Sequence, residues 1–179
     1  GLPYQQFFAG DEAEILIYVT PIALGDSDRA LIGNYLQNEY ALPFIVNKIP
    51  TMTSDTSPSG IVTYGHSIGG FLGWMAFDGD DTTYWNAGVN PSTYLCYELP
   101  VSAIFTGYYV KCYQYYSMTD WTLQGYDGAN WVILDTQTGQ DCWSDNTYKI
   151  STPASYIKYK IVITAAQNNN PVIKTLMFS

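Results

Sequence analysis

The sequence predicts an all-β domain, a sandwich or barrel of antiparallel strands, over residues 47–179. Short stretches in which apolar and polar side chains alternate follow one another at regular spacing, with loops rich in Gly, Pro, Asn and Ser between them. Aromatic residues make up 16% of the chain, including 17 Tyr, whereas charged residues make up only 13%. Aromatic and β-branched side chains favour pleated, half-buried strands, so composition and pattern agree.

The strands are predicted from six sequence stretches. YIKYKIVITA places Lys158 and Lys160 on one face and apolar side chains on the other, as in a half-buried antiparallel strand. DWTLQGY is joined through Asp127-Gly128 to NWVILDTQT, which is the spacing of a β-hairpin. YYVKCYQYY alternates, VIKTLMFS closes the chain, and TYLCYELP is predicted to end at Pro100.

Residues 1–46 differ from the rest and are predicted to form an N-terminal arm. EILIYVT predicts a short strand, and DRALIGNYLQNEY, preceded by Asp26 or Ser27 as a cap, predicts a helix. This segment is too small to bury a core by itself. It packs on the main domain, or it assembles with another copy or another structural protein, and the sequence leaves both open.

The charge of the chain argues against two classes of partner. The formal net charge is −9, and the seven basic residues are scattered singly. Nucleic acid and anionic lipid are recognised by clustered Lys and Arg, so we expect neither as a partner. No run of eighteen apolar residues occurs, so membrane insertion is not expected.

The three cysteines allow two interpretations. Cys96, Cys112 and Cys142 show no CxxC spacing and are odd in number. A disulfide between Cys96 and Cys112 would form if their strands are neighbours. Three free thiols are the interpretation that we favour.

The stretch WMAFDGDDTTYW concentrates negative charge between aromatic residues. Asp78, Asp80 and Asp81 lie within four residues and repel one another unless a cation or another partner balances them. Carboxylate, carbonyl and Thr oxygens are the ligands that calcium takes, so a bound cation is one interpretation. A solvated acidic turn is the other.

Three motifs in order resemble the discoidin family, the coagulation-factor type C or galactose-binding-like domains. They are AFDGDDTTYW, DWTLQGYDGANWVILDT and YIKYKIVIT, and the resemblance covers residues 47–179. It implies an antiparallel jelly-roll β-sandwich. It also implies a structural calcium held by Ala76, Asp78, Asp80 and Thr83. The family's usual Glu in the last strand is absent, because Lys174 and Thr175 stand there; Lys174 is then a candidate counter-charge for the loop.

The resemblance further implies a ligand site in loops at one end of the sandwich, with Trp74, Trp85, Trp121 and Trp131 in the core. Sugar recognition needs aromatic faces and planar polar groups. The candidate ligand-binding residues are His66, Tyr115, Tyr116, Trp143, Asn168 and Asn169. The Arg-Asn pair that relatives use on sugar hydroxyls is replaced by YYSM, so galactose specificity is not implied.

No assembled catalytic site is visible in the sequence, so we do not expect an enzyme. The chain has one His, and no HExxH motif, nucleophile elbow or phosphate-binding glycine loop. The leading hypothesis is a non-catalytic carbohydrate-binding or adhesion module that recognises cell-surface glycan. We expect it in a phage tail fibre or another surface-exposed structural protein, on a virion or at the cell surface. The alternatives are a structural or decoration domain for protein–protein assembly, and an accessory module of a secreted glycan-active enzyme.

Overall fold

The structure is a computed structural model that describes residues 47–90, 92–144 and 146–179. The predicted strand and helix of residues 1–46 lie outside this part of the chain, and the arm and its boundary stay predictions. Within the described ranges no helix is long and apolar enough to cross a membrane.

The described residues form nine strands and two short 3₁₀ turns, at Gly73–Phe77 and Gln167–Asn169. In chain order the strands are β1 Ile61–Tyr64, β2 Trp85–Asn86, β3 Thr93–Ile104, β4 Gly107–Cys112, β5 Met118–Tyr126, β6 Trp131–Gln137, β7 Asn146–Lys149, β8 Ser155–Ala166 and β9 Val172–Phe178.

The strands make two antiparallel sheets. One sheet has five strands in the order β1-β3-β8-β5-β6, and the other has four in the order β2-β9-β4-β7. Large apolar side chains from both sheets share one buried core, among them Leu95, Val110, Ile161 and Leu176. Two facing sheets around one core are a sandwich, so the all-β prediction is confirmed and the barrel alternative is not.

The alternation predicted for β8 and the predicted hairpin are both present. In β8, Tyr159, Ile161 and Ile163 are buried, while Lys158 is only partly buried and pairs with Glu98 on the outer face. The hairpin joins β5 to β6, with Tyr126 opposite Trp131. Asp127 Oδ1 accepts hydrogen bonds from the backbone N–H groups of residues 129 and 130, which closes the turn.

Pro100 does not end β3, contrary to the prediction. β3 continues to Ile104, and its pairing with β8 shifts register between Glu98 and Ala103. The proline lies within this irregularity, where the regular ladder is interrupted and its missing N–H costs no ladder hydrogen bond. A bulge therefore accommodates the residue that was expected to terminate the strand.

The cysteine predictions are also wrong. Cys112 and Cys142 form a disulfide with a Cα–Cα distance of 5.2 Å, and Cys96 is the free, buried cysteine of the described residues. Cys96 lies on β3 in the five-stranded sheet, whereas Cys112 ends β4 in the other sheet. β3 and β4, which a disulfide between Cys96 and Cys112 would require to be neighbours, therefore lie in different sheets.

Three of the four tryptophans expected in the core contact it, and one does not. Trp85 and Trp121 are buried, and Trp74 packs against the core from the side. Trp131 is 39% exposed at the start of the edge strand β6, and the Lys160 Nζ lies 3.7 Å from its ring centroid. A cation–π contact thus replaces burial at this position.

Candidate functional site

Four connecting segments meet at one end of the sandwich. The backbone N–H of Ile68 donates to the Asn86 carbonyl at 3.0 Å, which joins the segment after β1 to the end of β2. On the other side, the N–H of Val172 donates to the Tyr116 carbonyl at 3.0 Å, which joins the start of β9 to the segment after β4. These bonds fix the loops where the sequence predicted a ligand site.

A cleft of about 230 Å³ opens between these segments. We call it the tyrosine cleft, and six residues line it: Tyr84, Asn86, Tyr113, Tyr116, Asn170 and Val172. They come from β2 and the residue before it, from the segment after β4, and from the start of β9. Antiparallel neighbours in the four-stranded sheet therefore bring residues far apart in sequence to one opening.

Aromatic contacts hold the walls of the cleft. Tyr84 stacks on Phe71 with ring centroids 4.4 Å apart and meets Tyr113 edge-to-face at 5.4 Å. Tyr113 in turn contacts Tyr116 at 6.3 Å. Offset and edge-to-face arrangements of this kind are the favoured geometries of aromatic pairs, so the rings are positioned before any ligand arrives.

Two asparagines supply the planar polar groups of the cleft. Asn86 Oδ1 accepts the backbone N–H of Gly88 at 2.8 Å, which fixes the orientation of the amide and leaves its NH₂ group for other partners. Asn170 Oδ1 is shielded from solvent and has no hydrogen-bond partner. A buried acceptor without a partner is costly, so a ligand hydroxyl or N–H at this atom would be favourable.

The cleft carries no formal charge. Its lining contains no Asp, Glu, Lys, Arg or His, and tyrosine phenols are neutral at physiological pH. Lys174 lies behind one wall, with Nζ 6.0 Å from the centroid of the Tyr113 ring. The cleft thus combines aromatic surface with neutral hydrogen-bonding groups.

The predicted ligand residues are only partly brought together. Tyr116 lines the cleft, and Tyr115, which is 67% exposed, lies on the same segment. Asn168 Nδ2 donates to the Tyr115 carbonyl at 2.9 Å, so this loop closes over that segment, with Asn169 beside it. His66 is exposed and does not line the cleft; its carbonyl accepts the indole N–H of the buried Trp85 at 2.9 Å.

Trp143 also stands apart from the cleft lining. It is 49% exposed, as an exposed binding aromatic should be, and follows the disulfide-bonded Cys142. That disulfide attaches its segment to the end of β4, next to Tyr113. Trp143 is therefore attached at the same end of the sandwich without lining the cleft.

Five lining residues were not among the candidate ligand-binding residues, namely Tyr84, Asn86, Tyr113, Asn170 and Val172. Two features of the sequence point to these positions. Tyr84 and Asn86 flank the motif tryptophan Trp85, and Asn170 follows two predicted asparagines. β2 contains only two residues, which is too short to show an alternating pattern. A pattern that places Tyr84 and Asn86 on one side of a strand and Trp85 on the other is therefore not visible in the sequence.

The acidic loop, residues 78–83, is closed by its own hydrogen bonds. Thr83 Oγ1 donates to Asp78 Oδ2 at 2.6 Å, and Asp78 Oδ1 accepts the N–H of Asp80 at 2.9 Å. Asp80 Oδ1 accepts both the N–H and the hydroxyl of Thr82, at 2.8 and 2.7 Å. These hydrogen bonds from Thr82 hold the pKa of the Asp80 carboxyl below its usual value.

Asp81 turns away from this loop toward the four-stranded sheet. Its Oδ2 forms an ion pair with Lys111 of β4, and its Oδ1 accepts the Thr175 hydroxyl of β9 at 2.9 Å. The hydrogen bond from Lys111 is the main reason that the pKa of the Asp81 carboxyl lies below its usual value. Lys111 therefore makes the direct contact that the sequence suggested for Lys174, which acts on Asp81 only at longer range.

The residues around the acidic loop do not fit a calcium site well. Calcium takes six to eight oxygen ligands, several of them carboxylates. The resemblance assigns the Asp78 carboxylate and the backbone carbonyls of Asp80 and Thr83 to the ion. Here the Asp78 carboxylate accepts from Thr83 and from the Asp80 N–H, and the Asp80 carbonyl accepts the Thr83 N–H at 3.2 Å. Across the described residues no group of three His, Cys, Asp or Glu is placed to hold a metal. The expected ligands Ala76, Asp78, Asp80 and Thr83 stay a prediction.

Comparison with known proteins identifies similar structures but no similar sequences. No protein-family model and no curated protein sequence matches the chain. Chitosan-binding module 1 of a chitosanase/glucanase from Paenibacillus sp. IK-5 is similar at 17% identity and a TM-score of 0.61, covering 67% of this chain and 94% of that chain. The family 32 module of Clostridium perfringens NanJ, solved with galactose, is similar at 13% identity and a TM-score of 0.61, covering 66% and 92%.

A further similar structure is a family 32 module of Clostridium perfringens solved with GalNAc-β-1,3-galactose. It is 19% identical with a TM-score of 0.59, and the match covers 66% of this chain and 94% of that one. At such identities similarity establishes the fold and leaves function to the site. The described residues therefore adopt the galactose-binding-like, or discoidin-like, jelly-roll β-sandwich that the sequence motifs indicated.

Proposed function

We propose that this chain is a non-catalytic glycan-binding module and that the tyrosine cleft holds one neutral sugar ring. The observation that carries the proposal is the cleft itself, in which three tyrosines and two asparagines surround an uncharged opening. Similar structures solved with sugars support this choice of ligand class.

The lining matches the chemistry of a sugar. One face of a pyranose ring is made of C–H groups, which pack on aromatic surface, while its hydroxyls both donate and accept hydrogen bonds. Tyr84, Tyr113 and Tyr116 supply the aromatic surface. The fixed amide of Asn86 supplies a donor, and the unpartnered Asn170 Oδ1 supplies an acceptor.

The size and the charge of the cleft narrow the class of ligand further. A volume of about 230 Å³ is below the ~300–1,000 Å³ typical of pockets for drug-sized ligands, so it suits one ring and not an oligosaccharide. A uronic acid or sialic acid would bring a carboxylate into a cleft without a cation in its lining, on a chain of net charge −9. Neutral sugars are therefore favoured.

The exposed residues around the cleft would contact the rest of a glycan. We propose this role for His66, Tyr115, Trp143, Asn168 and Asn169, of which Tyr115 and Trp143 are the most exposed aromatics. Single-ring sites bind weakly, so display of several copies on a virion, a phage tail fibre or a cell surface would supply the strength needed for adhesion or host recognition. An accessory module of a secreted glycan-active enzyme would use the cleft in the same way.

A glycan array probed with the full-length chain, displayed as an oligomer, tests the proposal. We expect binding to glycans with a neutral terminal or internal ring, and a loss of about tenfold or more in affinity for Tyr113→Ala and for Asn170→Ala. Tyr94→Ala is the matched control, because Tyr94 is a partly exposed tyrosine on β3, outside the cleft. Failure to bind any glycan, or equal losses in the control and the cleft variants, would refute the proposal.

Protein–protein assembly is the second candidate function, and one surface favours it. The edge strand β6 exposes Val132 and Ile133, at 38% and 60%, beside the partly exposed Trp131. Exposed apolar edge strands pair with other chains unless they are protected. Ile133→Lys should then convert an oligomer of the full-length chain into monomer in analytical ultracentrifugation, whereas wild-type chains that sediment as monomers would argue against assembly through this edge.

A further inference from the structure

We propose that Lys111 is the built-in cation of the acidic loop, and that its ion pair with Asp81 positions the tyrosine cleft. Lys111 then takes the place of the calcium that the family resemblance implies. The part of the proposal that concerns the loop stands on its own, and the part that concerns ligand affinity rests on the proposed function.

The contacts of the three carboxylates make an added ion unnecessary. Asp78 accepts from Thr83 and from the backbone of Asp80, and Asp80 accepts twice from Thr82. These partners are neutral N–H and O–H donors, which suffice for exposed or partly exposed carboxylates that retain contact with water. Asp81 is the carboxylate that faces the sheet, and it is the one that meets a full positive charge.

The receiving surface for Asp81 is built by two neighbouring strands. Lys111 of β4 and Thr175 of β9 are direct partners in the antiparallel register. Residues opposite each other in such a pair point to the same side of the sheet, so their side chains can hold one carboxylate together. Thr175 is 5% exposed, and the Lys111 and Asp81 side chains are 25% and 52% exposed, so this site is shielded on the side of the sheet and open to solvent at Asp81. A carboxylate in place of Thr175 would stand beside Asp81 and would require a cation.

The two residues of the ion pair are close in sequence to two tyrosines of the cleft wall. Asp81 precedes Tyr84 by three residues, and Lys111 precedes Tyr113 by two. The rings of Tyr84 and Tyr113 meet edge-to-face at 5.4 Å. A bond between residues 81 and 111 therefore ties together the two segments whose tyrosines must keep this distance, which makes Lys111 a positioning residue for the cleft.

The first experiment measures thermal unfolding in excess calcium and in excess chelator. We expect the wild-type melting temperature to be the same in both. Lys111→Met should lower it by roughly 2–4 °C, and Lys111→Arg should restore most of the loss, because Arg can also pair with Asp81. Lys149→Met, at an exposed position of β7 in the same sheet, is the matched control and should change little. A wild-type melting temperature that rises with calcium and falls with chelator would overturn the proposal.

The second experiment converts the ion pair between Lys111 and Asp81 into a candidate calcium site. The double variant Lys111→Met with Thr175→Glu removes the built-in cation and adds a carboxylate beside Asp81. We expect this variant to gain stability from calcium, seen as a melting temperature that is higher with calcium than with chelator. If calcium leaves the double variant unchanged while Lys111→Met alone is as stable as wild type, the acidic loop does not need a counter-charge and the proposal fails.

The third experiment measures glycan affinity well below the melting temperature, where every variant is folded. Lys111→Met should weaken binding by about fivefold and Lys111→Arg should restore it, whereas a purely stabilising role would leave affinity unchanged. If wild-type protein binds no glycan, the proposed function fails, and the calcium and melting results still decide the role of Lys111. If glycan binds with equal affinity to wild type and Lys111→Met, the positioning role fails and the proposed function stands.

Discussion

The disulfide between Cys112 and Cys142 makes a strong prediction about stability. Its two cysteines are separated by 30 residues in sequence, and both side chains are fully buried. In the chain-entropy description, a cross-link of this span removes loop-closure freedom from the unfolded chain worth about 3.5 kcal/mol at 25 °C. We perturb it by replacing both cysteines with serine, or by reducing the wild-type protein.

The loss of stability should arise mainly because the unfolded chain gains conformational freedom. Loss of packing in the folded protein should contribute less. After reduction the two sulfur atoms stay within the core, where Cys142 Sγ lies 3.6 Å from the Met118 carbonyl and 3.5 Å from Ser117 Oγ. A loss of about 3.5 kcal/mol corresponds to roughly 7–14 °C in melting temperature for a domain of this size. The reduced protein should accordingly unfold at lower temperature while keeping its β-sheet circular dichroism at room temperature.

Thiol counting in denaturant checks the pairing independently of stability. Without reductant one thiol should react, that of Cys96, and after reduction all three should react. A Cys96→Ala variant is the control, because it should show no reactive thiol before reduction and the same difference between oxidised and reduced melts. Three reactive thiols without reductant, or identical melting of the oxidised and reduced forms, would refute the reasoning.

Three further predictions concern the core. Tyr108→Phe should cost about 1–3 kcal/mol in chemical denaturation, because it removes the hydroxyl that accepts the buried Trp121 Nε1–H at 2.9 Å; an unchanged midpoint would contradict this. Gly125→Ala should cost about 1–3 kcal/mol, because its Cβ would lie 2.5 Å from Tyr156 Cγ. Stability should fall between pH 9 and 11, because burial raises the pKa of the Cys96 thiol from 9.0 to about 11, so that the unfolded chain releases this proton first. The loss amounts to at most about 2.7 kcal/mol. Denaturation across this range should be less pH-dependent for Cys96→Ala, and parallel curves would contradict the assignment.

Local sequence pattern indicated six of the nine strands of the described residues, missed the short strands β1, β2 and β7, and was insufficient for most strand partners. β8 alternates along its length and β5 and β6 are joined by an Asp-Gly turn, so both could be recognised from a few residues. Beyond this hairpin, strand neighbours are decided by contacts between residues far apart in sequence, and no local pattern reports them. The cysteines illustrate the difference, since the partner of Cys112 is Cys142 and not Cys96, which lies in the other sheet.

The same limit applies to the candidate site. Exposed loop residues such as Tyr115 and Asn168 were predictable from their place between strands, and the structure brings these two together. The walls of the cleft were not, because Tyr84 and Asn170 become neighbours only when β2 and β9 pair at the edge of the four-stranded sheet. Exposed loops can therefore be recognised from the sequence alone. A cleft between strand ends can be located only when the pairing register of the strands is known.

The acidic loop shows both limits, because its partners and its role depend on strand pairing. In sequence the charge around Asp81 allowed two interpretations, a bound cation or a solvated acidic turn. In the folded chain the pairing of β4 with β9 places Lys111 and Thr175 opposite each other, and both reach Asp81. The charge of the Asp81 carboxylate is thus balanced on the side of the sheet, while the lining of the tyrosine cleft stays uncharged. Under the proposal for Lys111, the stretch that first suggested metal chemistry supports the proposed neutral binding surface.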